Sequence, residues 1–201
     1  MVMVMVRNYL FLGISLLFHV FATIFTYTKG ESLRKIDSTN YYDIIQHSFP
    51  DYSQYHHIKN GITLLILLPF VFFWSKSKLS GIIDDLVVIL PIIIIVRSIL
   101  TMVTILPSVR ESEIPKTHHF LDYFIGDNHD RMFSGHVALV FLLSFLLIKW
   151  NYIHLNGQIV LGGLIVYNII HAFIVIVTRS HYTIDVLNSL LITYLLCKLI
   201  L

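Results

Sequence analysis

Long apolar runs separated by short polar breaks dominate the chain. A membrane-crossing helix needs about 20 mostly apolar residues. Six stretches read that way: Tyr9 to Tyr27, Ile58 to Trp74, Ile82 to Leu106, Met132 to Trp150, Ile159 to Val177 and Ile184 to Leu201. The second is short. Many of these residues are β-branched and would favour strands in water. In lipid the backbone must satisfy its own hydrogen bonds, so continuous runs of this length predict helices. The expected fold is all-α: a polytopic membrane protein, a six-transmembrane-helix bundle, with a single membrane-embedded domain over residues 1–201. The first run follows MVMVMVR and leads into Phe25, Tyr27 and Lys29. A cleaved signal peptide has a shorter core and small residues at its cleavage site, so this run reads as a retained helix.

The connections alternate in length. Thr28 to His57 and Pro107 to Arg131 are long, whereas Ser75 to Gly81, Asn151 to Gln158 and Thr178 to Thr183 are short. Six crossings put the two long loops and the 178–183 turn on one face, and the termini on the other. The terminal face carries Arg7, Lys76, Lys78, Lys149 and Lys198 against Asp84 and Asp85. Basic residues collect on the cytoplasmic side, so the long-loop face is expected to be exoplasmic or lumenal.

Composition narrows the function classes. Of 201 residues, 56% are hydrophobic and 13% charged, and the mean hydropathy is +0.77. A soluble domain carries about 25% charged residues, which excludes a soluble protein here. A net charge of +2, dispersed along the chain, gives no footprint for nucleic acid. Cys197 is the single cysteine, so there is no intrachain disulfide and no cysteine-built metal cluster. Oligomeric state is left open, a homo-oligomer included.

Ionisable groups at or inside a membrane are costly, and they become informative when they share a face. The FSGH segment, Phe133 to His136, opens the fourth run, and HYTID, His181 to Asp185, opens the sixth. Two crossings separate these starts, so they share a face. Arg97 near the end of the third run and Asp51 before the second fall there as well. His181 and Asp185 are an i,i+4 pair. A carboxylate at that spacing can hold one ring nitrogen and raise the basicity of the other, the orienting logic of a nucleophile triad. His136 follows Gly135 at a helix start, where close backbone approach and the helix N-terminus favour an anion such as phosphate. Two histidines suit a two-step phosphoryl transfer: one becomes phosphorylated and the other protonates the departing oxygen. Arg97 could hold a phosphate with its planar donor fork, or snorkel at a helix end. Asp130 could reach the site, or serve as an acid at a helix start.

Other histidines point elsewhere. The adjacent pairs His56–His57 and His118–His119 make poor chelates on a helix. The intramembrane His19 and His171 could ligate haem, yet they lie on the first and fifth runs without a repeated two-histidine spacing. No cofactor and no metal is expected.

The four polar segments resemble the sphingomyelin synthase family, a branch related to the type-2 phosphatidic acid phosphatase superfamily. RSILTMVTILP, Arg97 to Pro107, looks like the family's motif after the third span. HDRMFSGHVALV, His129 to Val140, is similar to its GD-x-x-[FY]-SGH motif, with Asp130 matching the motif's aspartate and His129 in place of the usual glycine. RSHYTIDV, Arg179 to Val186, is close to HYT-[IV]-DV, and SFPD, Ser48 to Asp51, weakly resembles PLPD. The resemblance does not extend to an N-terminal SAM-type domain. The lysine–arginine–proline motif of the ordinary phosphatases is missing, and Val175 stands where their last motif has an arginine.

The resemblance implies that His136, His181 and Asp185 form the catalytic triad, with Arg97, Asp130, Ser134 and Tyr182 toward substrate. His181 would attack the lipid phosphorus and His136 would serve the leaving or incoming hydroxyl. The family moves phosphocholine or phosphoethanolamine from phosphatidylcholine or phosphatidylethanolamine to ceramide, releasing diacylglycerol. With water as acceptor the same site would make a phospholipase C or a lipid phosphatase; with diacylglycerol, a different transferase. A non-catalytic lipid-binding protein is the reading from another class. Tyr52, Tyr55, Tyr123, Phe124 and Tyr182 could form a choline cage or an interfacial aromatic belt. Glu111 and Glu113 could contact a headgroup or lie in solvent.

Overall fold

The computed structural model describes residues 2–34, 43–55, 57–73, 75–104, 132–153 and 155–201. Their secondary structure is helical throughout. In chain order the helices are α1 (Val2–Arg34), α2 (Ile44–Ser48), α3 (His57–Leu65), α4 (Leu68–Phe72), α5 (Lys76–Val103), α6 (Gly135–Lys149), α7 (Gly157–Val177) and α8 (Thr183–Ile200), with one 3-10 turn at Ser53–Tyr55. The all-α expectation holds, and the β-branched runs are helices. Four helices are long and apolar enough to cross a membrane: Val6–Lys29 within α1, then α5, α7 and α8. That is the make-up of an integral membrane protein.

The second and fourth expected spans are helical but shorter than these four. The second breaks into α3 and α4, because Pro69 sits at the start of α4 and cannot donate back to α3. The chain bridges the break with tighter bonds, Leu67 N–H to Leu64 O and Phe70 N–H to Leu67 O, both 3.0 Å. The fourth, α6, has 15 residues, a length of about 22 Å at the usual rise. It starts only at Gly135 because Ser134 caps it, its hydroxyl accepting the Val137 N–H at 3.4 Å. Two boundaries differ the other way. α1 outruns Tyr9 to Tyr27 at both ends, and α5 begins at Lys76, so the expected loop from Ser75 to Gly81 is mostly its first turns. The loop from Pro107 to Arg131 lies outside the described residues, as do His56 and Trp74.

Short α6 lies at the centre. Val140, Leu142, Leu146 and Leu147 are fully buried, and they join Ile82, Ile89 and Ile93 of α5, Leu164 of α7 and Cys197 of α8 in one core. A helix apolar all round is one that is covered all round; α5, α7, α8 and α3 do the covering. α1 packs on α5 from outside with its polarity inverted. Its Leu10, Leu17 and Phe21 are exposed, whereas Ser15, His19, Thr23 and Thr26 are buried. Those four residues recur at helical spacing and meet α5: Thr26 Oγ1 reaches Thr101 O at 3.4 Å. Small and polar residues on the inner face let two helices associate where lipid removes the hydrophobic drive.

Candidate active site

α5 and α8 both reach the N-terminal end of α6. Gly135 opens the helix, and Arg97 of α5 lies against it. A Cβ built on Gly135 would stand 3.0 Å from Arg97 Nη1 and 3.2 Å from Cζ. The glycine therefore admits the guanidinium to the helix start. His136 follows, half-buried. Arg97 and His136 line the same cavity of about 350 Å³, whose other walls include Leu90, Ile93, Phe133, Leu139 and Leu142. It is an apolar chamber with a cation and an imidazole in its lining.

The second histidine is held separately. His181 lies just before α8, and its Nδ1 stands 3.4 Å from Oδ2 of Asp185 in the first turn of that helix. Asp185 is fully buried and His181 nearly so. Asp185 Oδ2 also accepts the Tyr182 N–H at 2.9 Å, so one carboxylate caps the helix and faces the imidazole. His181 and Asp185 are not among the residues lining the Arg97–His136 cavity. The two helix starts are joined through Ser189: Ser134 N–H donates to Ser189 Oγ at 2.6 Å, and that hydroxyl donates to Asp185 O at 2.6 Å. The bonds tie the start of α6 to the first turns of α8.

A third layer comes from α2. Asp43 caps α2 by accepting the Gln46 N–H at 3.1 Å, and it also accepts Thr183 N–H at 2.6 Å and the Thr183 hydroxyl at 2.8 Å. Gln46 Nε2 donates to the His181 carbonyl at 2.9 Å. Burial alone would push the Asp43 carboxyl up. The hydrogen bonds from Thr183 and from the Gln46 and Ile45 main chain outweigh it and hold the group below its ordinary 3.8. Next in the chain, Asp51 Oδ1 lies 3.2 Å from Arg179 Nε. Arg179 takes a left-handed φ of 53° in the turn before His181.

Of the residues expected from the sequence, the fold groups Arg97 with His136, and His181 with Asp185. Ser134 is fully buried and spends its hydroxyl on the α6 cap. Tyr182 is buried at the α8 N-cap. Asp130 lies outside the described residues, as do Glu111, Glu113, Tyr123, Phe124 and the His118–His119 pair. Tyr52 and Tyr55 are exposed, with ring centres 6.4 Å apart. The histidines considered for haem have protein partners: His19 bonds Ser98 and Arg97, and His171 Nε2 lies 2.9 Å from Thr63 Oγ1. Sequence reasoning missed His19, Asp43, Gln46 and Ser189 as parts of the site. Asp43 and Gln46 do carry a signal, the three-residue spacing of a helix start. Their partners 130 to 140 positions away carry none.

The PAP2 superfamily C-terminal family model matches residues 129–200. That stretch holds α6 to α8 with His136, His181 and Asp185. The match supports the type-2 phosphatidic acid phosphatase superfamily, and with it a lipid phosphatase or phosphotransferase at a coarse level. It does not reach α1 to α5, where Arg97 and Asp43 lie. No curated protein matches the chain.

Proposed function

We propose that the chain is a transferase moving phosphocholine or phosphoethanolamine from a glycerophospholipid to ceramide. The observation that carries this reading is the His181–Asp185 contact at 3.4 Å, in a helix start bonded to the one that bears His136 beside Arg97. With Nδ1 turned to Asp185, Nε2 of His181 is the attacking nitrogen. It forms a bond to phosphorus while the bond to the diacylglycerol oxygen breaks. His136 gives that oxygen a proton, and diacylglycerol leaves. Asp185 stabilises the imidazolium. In the second step the ceramide hydroxyl passes its proton to His136 and attacks phosphorus, and the bond to His181 breaks. Arg97 neutralises the phosphoryl oxygens through both steps. No metal enters the scheme, so EDTA is expected to leave the rate unchanged.

Both lipids reach the site from the bilayer in this reading. The α3–α4 pair and α6 complete six crossings, and the site faces the exoplasmic or lumenal side. Hydrolysis is the second reading, favoured by the PAP2 match over residues 129–200: water replaces ceramide at the same phosphohistidine.

The test is a mass-spectrometric transfer assay on purified protein in mixed lipid containing phosphatidylcholine, phosphatidylethanolamine and ceramide. Sphingomyelin or its ethanolamine analogue, lost in His181→Ala, supports transfer and names the donor. Diacylglycerol with only free phosphocholine or phosphoethanolamine establishes the hydrolase instead. No product from the wild type overturns both and leaves a lipid-binding protein. Full activity in His181→Ala refutes the assigned nucleophile.

A further inference from the structure

We infer that His19, on α1, is a positioning residue that aims the Arg97 guanidinium at a phosphate ester bound in the cavity between α5 and α6. The inference rests on the phosphoryl-transfer reading only for the use made of Arg97; the bonds themselves are geometric.

His19 is 3% exposed and lies inside the apolar stretch Val6–Lys29. An ionisable side chain there needs specific partners. Its Nε2 stands 3.3 Å from Arg97 Nη1, and its Nδ1 stands 3.1 Å from Ser98 Oγ. Arginine only donates. Nε2 is therefore the bare, accepting nitrogen, and the proton sits on Nδ1. Nδ1–H then donates to Ser98 Oγ, whose own proton goes to Ile94 O at 2.8 Å. One neutral tautomer satisfies every bond in this series, from the Ile94 carbonyl through Ser98 and His19 to Arg97. A protonated imidazole would break it, placing a donor and a positive charge against the guanidinium.

The guanidinium is thus gripped on two sides. His19 fixes Nη1 from α1, and Gly135 leaves the space into which Nη1 and Cζ fit. A planar fork held in one orientation binds a tetrahedral anion with less ordering cost than a mobile one. The cavity beside it has a mostly apolar lining, with Arg97 and His136 as its ionisable members. An amphiphile carrying a phosphate ester matches that lining; a free inorganic anion matches only the Arg97 end.

His19 could instead merely brace α1 against α5, and a double-mutant cycle separates the two roles. Wild type, His19→Ala, His19→Gln, Arg97→Gln and His19→Ala/Arg97→Gln are compared as full chains in detergent micelles. Two quantities are read: the Kd for inorganic phosphate, and KM and kcat for a short-chain phosphatidylcholine. Loss of a hydrogen bond to a charged group predicts about a tenfold weaker phosphate Kd and a similar rise in KM for His19→Ala. His19→Gln, whose side-chain carbonyl can accept from Nη1, recovers most of that loss. In the Arg97→Gln background the His19 change has no further effect.

An unchanged phosphate Kd in His19→Ala, or an equal loss with and without Arg97, overturns the inference and leaves a brace. So does a wild type that binds no phosphate. If His19→Ala does not fold, Ser98→Ala carries the test, since it removes the acceptor that fixes the tautomer. A Kd about two- to threefold weaker supports the inference, and an unchanged one overturns it. Phosphate binding that follows the predicted cycle without lipid turnover sinks the proposed reaction but leaves the role of His19 standing. Turnover that is indifferent to His19 does the reverse.

Discussion

At each end of α6 a glycine admits a large group across the contact with α5. At the Lys149 end the glycine belongs to α5 and the large group follows α6. A Cβ on Gly81 would stand 2.3 Å from the Trp150 ring. Around that contact Asp85 Oδ2 accepts from Trp150 Nε1 at 2.7 Å and from Lys149 Nζ at 2.8 Å. At the Gly135 end the roles are exchanged: the glycine belongs to α6, and the group set against it is the Arg97 guanidinium. Among the described residues its neighbour there is the His19 imidazole. One end is closed by a complementary ion pair; the other opens on a cavity shared with His136. The same steric device makes a joint in one place and a candidate binding site in the other.

Adding a methyl group to each glycine is the strongest way to break this comparison. Gly135→Ala pushes the guanidinium by a few tenths of an ångström, and a flexible arginine can give way without unfolding the bundle. Misplaced catalytic groups cost up to about 100-fold in rate. We expect a loss approaching that in the transfer assay, with little change in the thermal midpoint. Gly81→Ala meets a rigid indole at a much shorter distance. Overpacking of this kind costs about 1–3 kcal/mol, so the midpoint should fall while kcat per folded molecule holds. Equal effects on activity at both positions would dissolve the distinction between joint and site.

Some of this asymmetry was legible in the sequence. The spacing of His181 and Asp185 suggested a pair on one helix; they do meet, but through the capping turn at Tyr182, because α8 starts only at Thr183. Gly135 was read as a place of close approach, and so it is, although the group that approaches is Arg97. Alternating crossings brought Asp51 to the right face, but its partner Arg179 is visible only in the fold. The polar stripe of α1, Ser15, His19, Thr23 and Thr26, is periodic and could have been read. It was hidden because the surrounding residues are uniformly apolar and invite no search for a face. The expected run Met132 to Trp150 is longer than α6 by a few residues, because the Ser134 cap sets the helix start and composition alone does not mark it. The clamp of Asp43 on Thr183 depends on a contact across 140 positions, which no local pattern encodes.

That clamp gives the site end a pH dependence. The folded-state carboxyl of Asp43 is held below its ordinary value of 3.8. The stabilisation is therefore fully present above that value and is lost as pH falls through the lowered folded-state value. Asp43→Asn cannot ionise, so it should melt below wild type at pH 6, with the gap closing as the pH is taken under about 4. Thermal unfolding followed across that range checks the sign. A gap that widens toward acid would mean that Asp43 is held in its neutral form, and the bonding around Thr183 would need to be reassigned.

The smallest effect is expected from the ion pair that closes the other end. The Lys149 and Asp85 side chains are 31% and 19% exposed, so solvent screens their attraction. Exposed pairs of this kind contribute about 0.2–1 kcal/mol. Lys149→Gln should lower the thermal midpoint only slightly, and less at high salt, while kcat and KM stay at wild-type values. Asp85 keeps its bond to Trp150 Nε1 in this variant, so the ring stays over Gly81 and the joint holds. The comparison sharpens if Asp85→Ala then destabilises more than Lys149→Gln, because the first releases the indole as well as the ammonium. If the two variants lose equal stability, the ion pair itself would be the fastening, and the Trp150–Gly81 contact would follow from it.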